Sequence, residues 1–149
     1  MPRISIDLPG QFAFATDLTI YVGHINYGSH LDNAMLISLV SEAQMRYFAA
    51  LGYPEGRIDG LVTLIADAAV QYKSEAFRGE VMVVRMAAAD FNPKGCDLVW
   101  CMTEKVSGRE VARGKTGIVF FDLATRRLAS MPEGFRQRTR ALPTQEEGP

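Results

Sequence analysis

Two histidines, two asparagines, a serine and an aspartate fall within one short stretch of a 149-residue chain, His24-Ile-Asn26-Tyr-Gly-Ser29-His30-Leu-Asp32-Asn33. The stretch follows a strand-like run and precedes a segment, Ala34 to Leu51, that lacks Gly and Pro and is rich in Ala, Leu and Met. That composition favours helix. A helix beginning at the mouth of a polar loop offers unpaired backbone N–H groups and the positive end of its dipole. Such a place suits an anion, a phosphate or a carbonyl acquiring negative charge. Ser29, Asp32 and Asn33 each have the side chain of an N-cap.

The elements that must hold this loop can be read from hydrophobic period. Phe12, Phe14, Thr16, Leu18, Ile20 and Val22 alternate with Ala13, Ala15, Asp17, Thr19 and Tyr21, which predicts a strand, interrupted near Asp17. In the helix, Leu36, Leu39, Val40, Ala43 and Tyr47 form one stripe. Met35, Ile37 and Met45 lie off it, so the helix is apolar most of the way round and is expected to pack deeply. Glu42 precedes Arg46 by one helical turn, a spacing suited to an ion pair. Gly52-Tyr-Pro54 ends the helix.

Ile58 to Tyr72 reads as strand from its β-branched content and from the regular strand pattern beyond it, and Ser74 to Gly79 as a turn. Glu80–Ala88, Asp97–Val106 and Glu110–Asp122 then give three strands joined by connections too short for a parallel crossover. Pro132 to Arg140 predicts a short basic helix. The pattern is α+β: one long helix and an antiparallel sheet in a single domain over residues 1–140, with a frayed tail over 141–149. One helix covers only one face of such a sheet, so the remaining edge and apolar surface point to an oligomer.

Composition narrows the partners. A net charge of −1 with 48% apolar residues fits neither a disordered chain nor a nucleic-acid binder. No apolar run approaches the roughly 18 residues of a membrane span, and Met1-Pro-Arg-Ile-Ser lacks a secretory core, so a cytoplasmic location is expected. Cys96 and Cys101 are five apart in one predicted strand. They therefore face opposite sides, cannot pair with each other, and are expected to be structural thiols. Asp67 is expected on the outer side of the sheet.

With those elements in order, the chain resembles the hotdog-fold acyl-CoA thioesterases of the 4-hydroxybenzoyl-CoA thioesterase-like superfamily. The resemblance runs from about Phe12 to Arg138. It is carried by His24-Ile-Asn-Tyr-Gly-Ser-His-Leu-Asp-Asn33, Ser41-Glu-Ala-Gln-Met-Arg46, Phe77-Arg-Gly-Glu80, and Ala112 to Asp122 followed by Pro132-Glu-Gly-Phe135. It implies a curved antiparallel sheet wrapped around one helix, subunits paired as a homodimer or homotetramer, and an acyl-CoA site at the subunit interface. No metal or redox cofactor is implied.

The loop departs from the family pattern Asp-x-Asp-x-x-Gly-His-Val-Asn-Asn. His24 and Asn26 stand at its two Asp positions, and Ser29 at its Gly. An amide is neither a general base nor a carboxylate nucleophile, but it can orient water or donate to a thioester carbonyl. The resemblance thus marks Asn26 as a site residue and leaves proton transfer to Glu42, His24 or His30. Glu42 leads because some branches carry their carboxylate on the helix, where partial desolvation would raise its pKa. The alternative roles are bracing the loop for Glu42, fixing loop geometry for His30, and packing or facing solvent for His24. Ser29, Asp32, Asn33 and Arg78 are the candidate substrate contacts. Arg78, Lys94, Arg113 and Lys115 could meet CoA phosphates or simply be solvated. Two other functions stay open: an acyl-CoA or acyl-carrier-protein binder that has lost its base, and a dehydratase or hydratase using His30 and Asp32.

Overall fold

A computed structural model of the chain describes residues 2–142. Its core is one antiparallel sheet laid against one long helix, in the order β1 (Phe14–Thr19), α1 (Asn33–Ala50), β2 (Val62–Tyr72), β3 (Val81–Asn92), β4 (Gly95–Glu104) and β5 (Glu110–Asp122). A two-residue β6 (Arg127–Leu128) pairs with β5, and α2 (Glu133–Ala141) closes the described chain. The strands lie side by side as β1-β3-β4-β5-β2, all neighbours antiparallel. The antiparallel sheet and single long helix are those the hydrophobic pattern predicts, and together they form the curved sheet around one helix that the family resemblance implies.

The apolar stripe of α1 is buried at Leu36, Leu39, Val40, Ala43, Tyr47 and Phe48. It shares one core with Met82, Val84 and Met86 of β3, Cys96, Leu98, Trp100 and Met102 of β4, and Ile118 and Phe120 of β5. These are alternate residues of each strand, so one face of the sheet meets the helix. Phe135 of α2 inserts among Phe48, Tyr53 and Phe120, with ring centroids 6.0, 6.3 and 5.2 Å away. Burial pushes the Cys96 thiol up to about 12 and raises Cys101 as well, which leaves both as inert structural thiols. Among the described residues no helix is long and apolar enough to cross a membrane.

Several local expectations are corrected. Strand β1 pairs with β3 in unbroken register through Asp17, which ties to Lys105 instead of interrupting the ladder. It also stops early. Val22–His24 forms a 3-10 turn, because the Tyr21 N–H donates to His24 Nδ1 at 2.9 Å and draws the chain out of the sheet. Strand β2 begins at Val62, since Ile58 to Leu61 closes a tight turn with Asp59 at φ 51°. Ala141 ends α2 and Leu142 packs against the core. The rest of the expected tail, residues 143–149, lies outside the described residues.

Candidate active site

The loop between β1 and α1 is a small closed device. A bridge between Ile25 and Leu31 forms its base, and the Asn26 N–H donates to the His30 carbonyl at 3.0 Å. The Ser29 N–H donates to the Asn26 carbonyl at 3.0 Å, making a turn whose tip is Tyr27-Gly28. Asn26 and His30, the pair that closes the loop behind that turn, both line the cleft beside it.

Each of the two side chains has its chemistry fixed by one backbone contact. Asn26 Oδ1 accepts the Gly28 N–H at 2.9 Å, so the free end of the amide is its NH2, a donor. His30 Nδ1 lies 3.1 Å from the Leu31 carbonyl, which can only accept. Nδ1 therefore carries the proton, and in the neutral ring Nε2 holds the lone pair. A Cβ at position 28 would sit 3.2 Å from both Asn26 Oδ1 and His30 Nε2, so the two groups close on Gly28 from its side-chain direction. His24 is the opposite tautomer, because its Nδ1 accepts from the Tyr21 N–H.

The helix start is less open than its position alone suggests. Asp32 is the N-cap, and its Oδ2 accepts from the Ala34 and Met35 amides at 2.9 and 3.1 Å. Of the first turn's amides, that leaves the Asn33 N–H without an acceptor among the described residues. Asn26, His30, Asn33 and Tyr72 line one cleft of about 330 Å³ with Leu31, Leu36, Val111 and the segment Lys73-Ser-Glu-Ala76. A donor amide, a basic imidazole nitrogen, a free helical N–H and a partly apolar wall suit a carbonyl attacked by water.

Residues 20–139, most of the chain, match the family model for the thioesterase-like superfamily. The chain belongs to the thioesterase-like superfamily. That membership supports a thioester hydrolase, and the hotdog architecture recurs in solved structures similar to this one. A thioesterase from Synechocystis aligns at TM-score 0.75 and 14% identity, over 89% of this chain and 98% of its own. The BH1999 thioesterase aligns at 0.75 and 15%, over 85% and 99%. A probable thioesterase from Escherichia coli, YbaW, aligns at 0.71 and 17%, over 86% and 97%. No curated protein sequence matches.

In this superfamily member the other predicted residues lie apart from the cleft. Glu42 sits on the exposed side of α1 with its Oε1 3.0 Å from Arg46 Nε; its side chain is 54% exposed, not partly desolvated, within the single chain. The Arg46 guanidinium also bonds Thr16 Oγ1 and the Asp17 carbonyl, so the pair braces α1 on β1 instead of the loop. Ser29 is exposed at the loop tip and Arg78 on the turn before β3; neither lines the cleft. Asp32 spends its carboxylate on the cap. Asp67 is exposed and reaches Lys115, which Asp97 also holds at 3.2 Å. Sequence reading missed Tyr72 and the wall after it. The signal was faint: a tyrosine ending an apolar run on the face shared with Val70.

Proposed function

We propose that this protein hydrolyses an acyl-CoA thioester, with Asn26 and Asn33 as carbonyl donors and His30 as the base. The observation that carries the reading is that Asn26, its NH2 left free by the Gly28 contact, and His30, its Nε2 left unprotonated by the Leu31 contact, line one cleft. His30 Nε2 takes a proton from water as its oxygen attacks the thioester carbon. The oxyanion accepts from Asn26 Nδ2 and the Asn33 N–H. The intermediate then expels the CoA sulfur, breaking C–S, and His30 returns the proton to it, giving free acid and CoA thiol. A carboxylate at position 26 is unnecessary in this scheme, because the imidazole performs the proton transfer.

Two similar structures are thioesterases of 1,4-dihydroxy-2-naphthoyl-CoA and gentisyl-CoA, which supports a CoA thioester as substrate. The site is also proposed to be completed by a second subunit. Among the described residues strand β2 pairs on one side only, and it exposes Leu64 and Ile65 at 42% and 56%, with Ala66, Asp67 and Ala68 exposed beside them. A long apolar edge of this kind invites pairing with its own copy.

Thiol release from short, long and aryl acyl-CoAs tests the reading, with His30→Gln, Asn26→Ala and Glu42→Ala in parallel. His30→Gln is expected to cost about 100-fold or more in kcat, and Asn26→Ala about 100-fold. Glu42→Ala is expected to retain turnover. Loss in Glu42→Ala with retention in His30→Gln would assign the proton transfer to Glu42 across the subunit interface. Acyl-CoA binding without turnover in the wild type would make this a binding protein whose Asn26 replaces the lost carboxylate.

A further inference from the structure

Tyr72 lines the cleft but has no part in that scheme. Tyr72 is the last residue of the edge strand β2, and its side chain crosses to the start of α1. There its Oη donates a 3.0 Å hydrogen bond to the Asn33 carbonyl. Asn33 is the same residue whose N–H has no acceptor among the described residues. Asp32 fixes that turn only from within, holding the Ala34 and Met35 amides. Beyond the core packing of Met35 and Leu36, Tyr72 ties it to the sheet through a side-chain hydrogen bond. Tyr72 is 51% exposed in the single chain, so packing within the chain does little to explain the placement, whereas the hydroxyl has one defined partner.

We propose that Tyr72 is a positioning residue of the reaction, whose hydroxyl holds Asn33 so that its N–H meets the developing oxyanion. The inference rests on the thioesterase reading and deepens it. It also joins the chemistry to the edge at which a second subunit is proposed to dock, since ordering β2 orders the tyrosine at its end. A neutral hydrogen bond that only clamps the helix would be felt in stability. One that aims a donor is felt in the transition state, with substrate binding almost untouched.

Tyr72→Phe keeps the ring and removes only the hydroxyl. The expected result is a kcat lower by about three- to ten-fold, a KM within about two-fold, and a melting temperature lower by no more than a few degrees. A second readout uses an inert ketone analogue of the substrate, with CH2 in place of the thioester sulfur. On binding it, the Asn33 amide proton shifts downfield in the wild type and by less than half as much in Tyr72→Phe. Equal kcat and equal Asn33 shifts in the two proteins overturn the role of Tyr72 and leave the thioesterase reading standing. So does a lower melting temperature with kcat of the folded protein unchanged. Wild-type protein that neither hydrolyses acyl-CoA nor binds the analogue overturns the thioesterase reading, and the role of Tyr72 with it.

Discussion

Ser29 holds a backbone conformation that its side chain does not favour. Its φ is 66°, in the left-handed region, at the position where the resembled family carries Gly. The bonds from the Ser29 N–H to the Asn26 carbonyl and from the Asn26 N–H to the His30 carbonyl require that bend, so the turn that delivers both site residues depends on it. Serine tolerates the region at a cost of about 1 kcal/mol, whereas a β-branched residue meets a steeper clash. Ser29→Val is therefore expected to destabilise by about 1–2 kcal/mol and to lower turnover, while Ser29→Gly leaves both nearly unchanged. Thermal unfolding and kcat of both variants check this, and a fully active Ser29→Val would refute it. The residue types were legible in sequence, since Asn26, His30 and Asn33 stand in one loop and all reach the cleft. Their roles were not. Which end of the Asn26 amide is free and which His30 nitrogen is basic depend on backbone partners that appear only once the turn is closed. The same folding shows that Asp32 occupies two of the helical amides an oxyanion might have used.

Among the elements, local signals carried far where period and caps decide. Helix α1 begins at Asn33, one residue before its expected start and directly after the cap Asp32, and its last residue Ala50 lies just ahead of Gly52, whose φ of 98° makes it the residue for that stop. The cleft wall was hidden because Tyr72 to Ala76 is placed by long-range bonds, such as the Lys73 N–H to the Val111 carbonyl and Ser74 Oγ to the Glu110 carbonyl. That wall leans on one charged clasp. Arg113 pairs with Glu110 and also donates to the Ile6 carbonyl, while Gln71 Oε1 accepts the Ile6 N–H, so the N-terminal arm is pinned across β5 and β2. The hydrogen bond from Arg113 holds the Glu110 carboxyl below the usual range. A depressed carboxyl contributes stability that is fully present above the unfolded value of about 4.3 and is lost as pH falls through the folded one. Glu110→Gln is thus expected to lower stability near neutrality by up to about 1 kcal/mol, and to lose less than the wild type on acidification below about pH 4. Parallel unfolding curves at every pH for the two proteins would show that the clasp contributes nothing.

At the scale of the whole molecule, the two free edges of the sheet are unequal. Strand β1 is six residues long, and β2 is eleven. Residues 64–68 of β2 are all exposed, and Asp67 is the one charge among them, drawn back across the sheet toward Lys115. Soluble proteins blunt such edges with charge, Pro or cover, and β2 has almost none of these within one chain. The proposed β2-to-β2 contact supplies the cover, and Ile65 separates it from a merely bare edge. In an isolated subunit, Lys at an exposed position changes stability by no more than about 0.5 kcal/mol. Inside a paired edge, two copies of that ammonium meet across the new ladder and must be desolvated, which costs several kcal/mol. Ile65→Lys is therefore expected to sediment as a monomer where the wild type is a dimer or larger. It is also expected to melt at a lower, concentration-independent temperature and to lose turnover although every cleft residue is unchanged. Equal mass, melting temperature and kcat in the two proteins would place the subunit contact elsewhere and show that one chain's cleft suffices for the reaction.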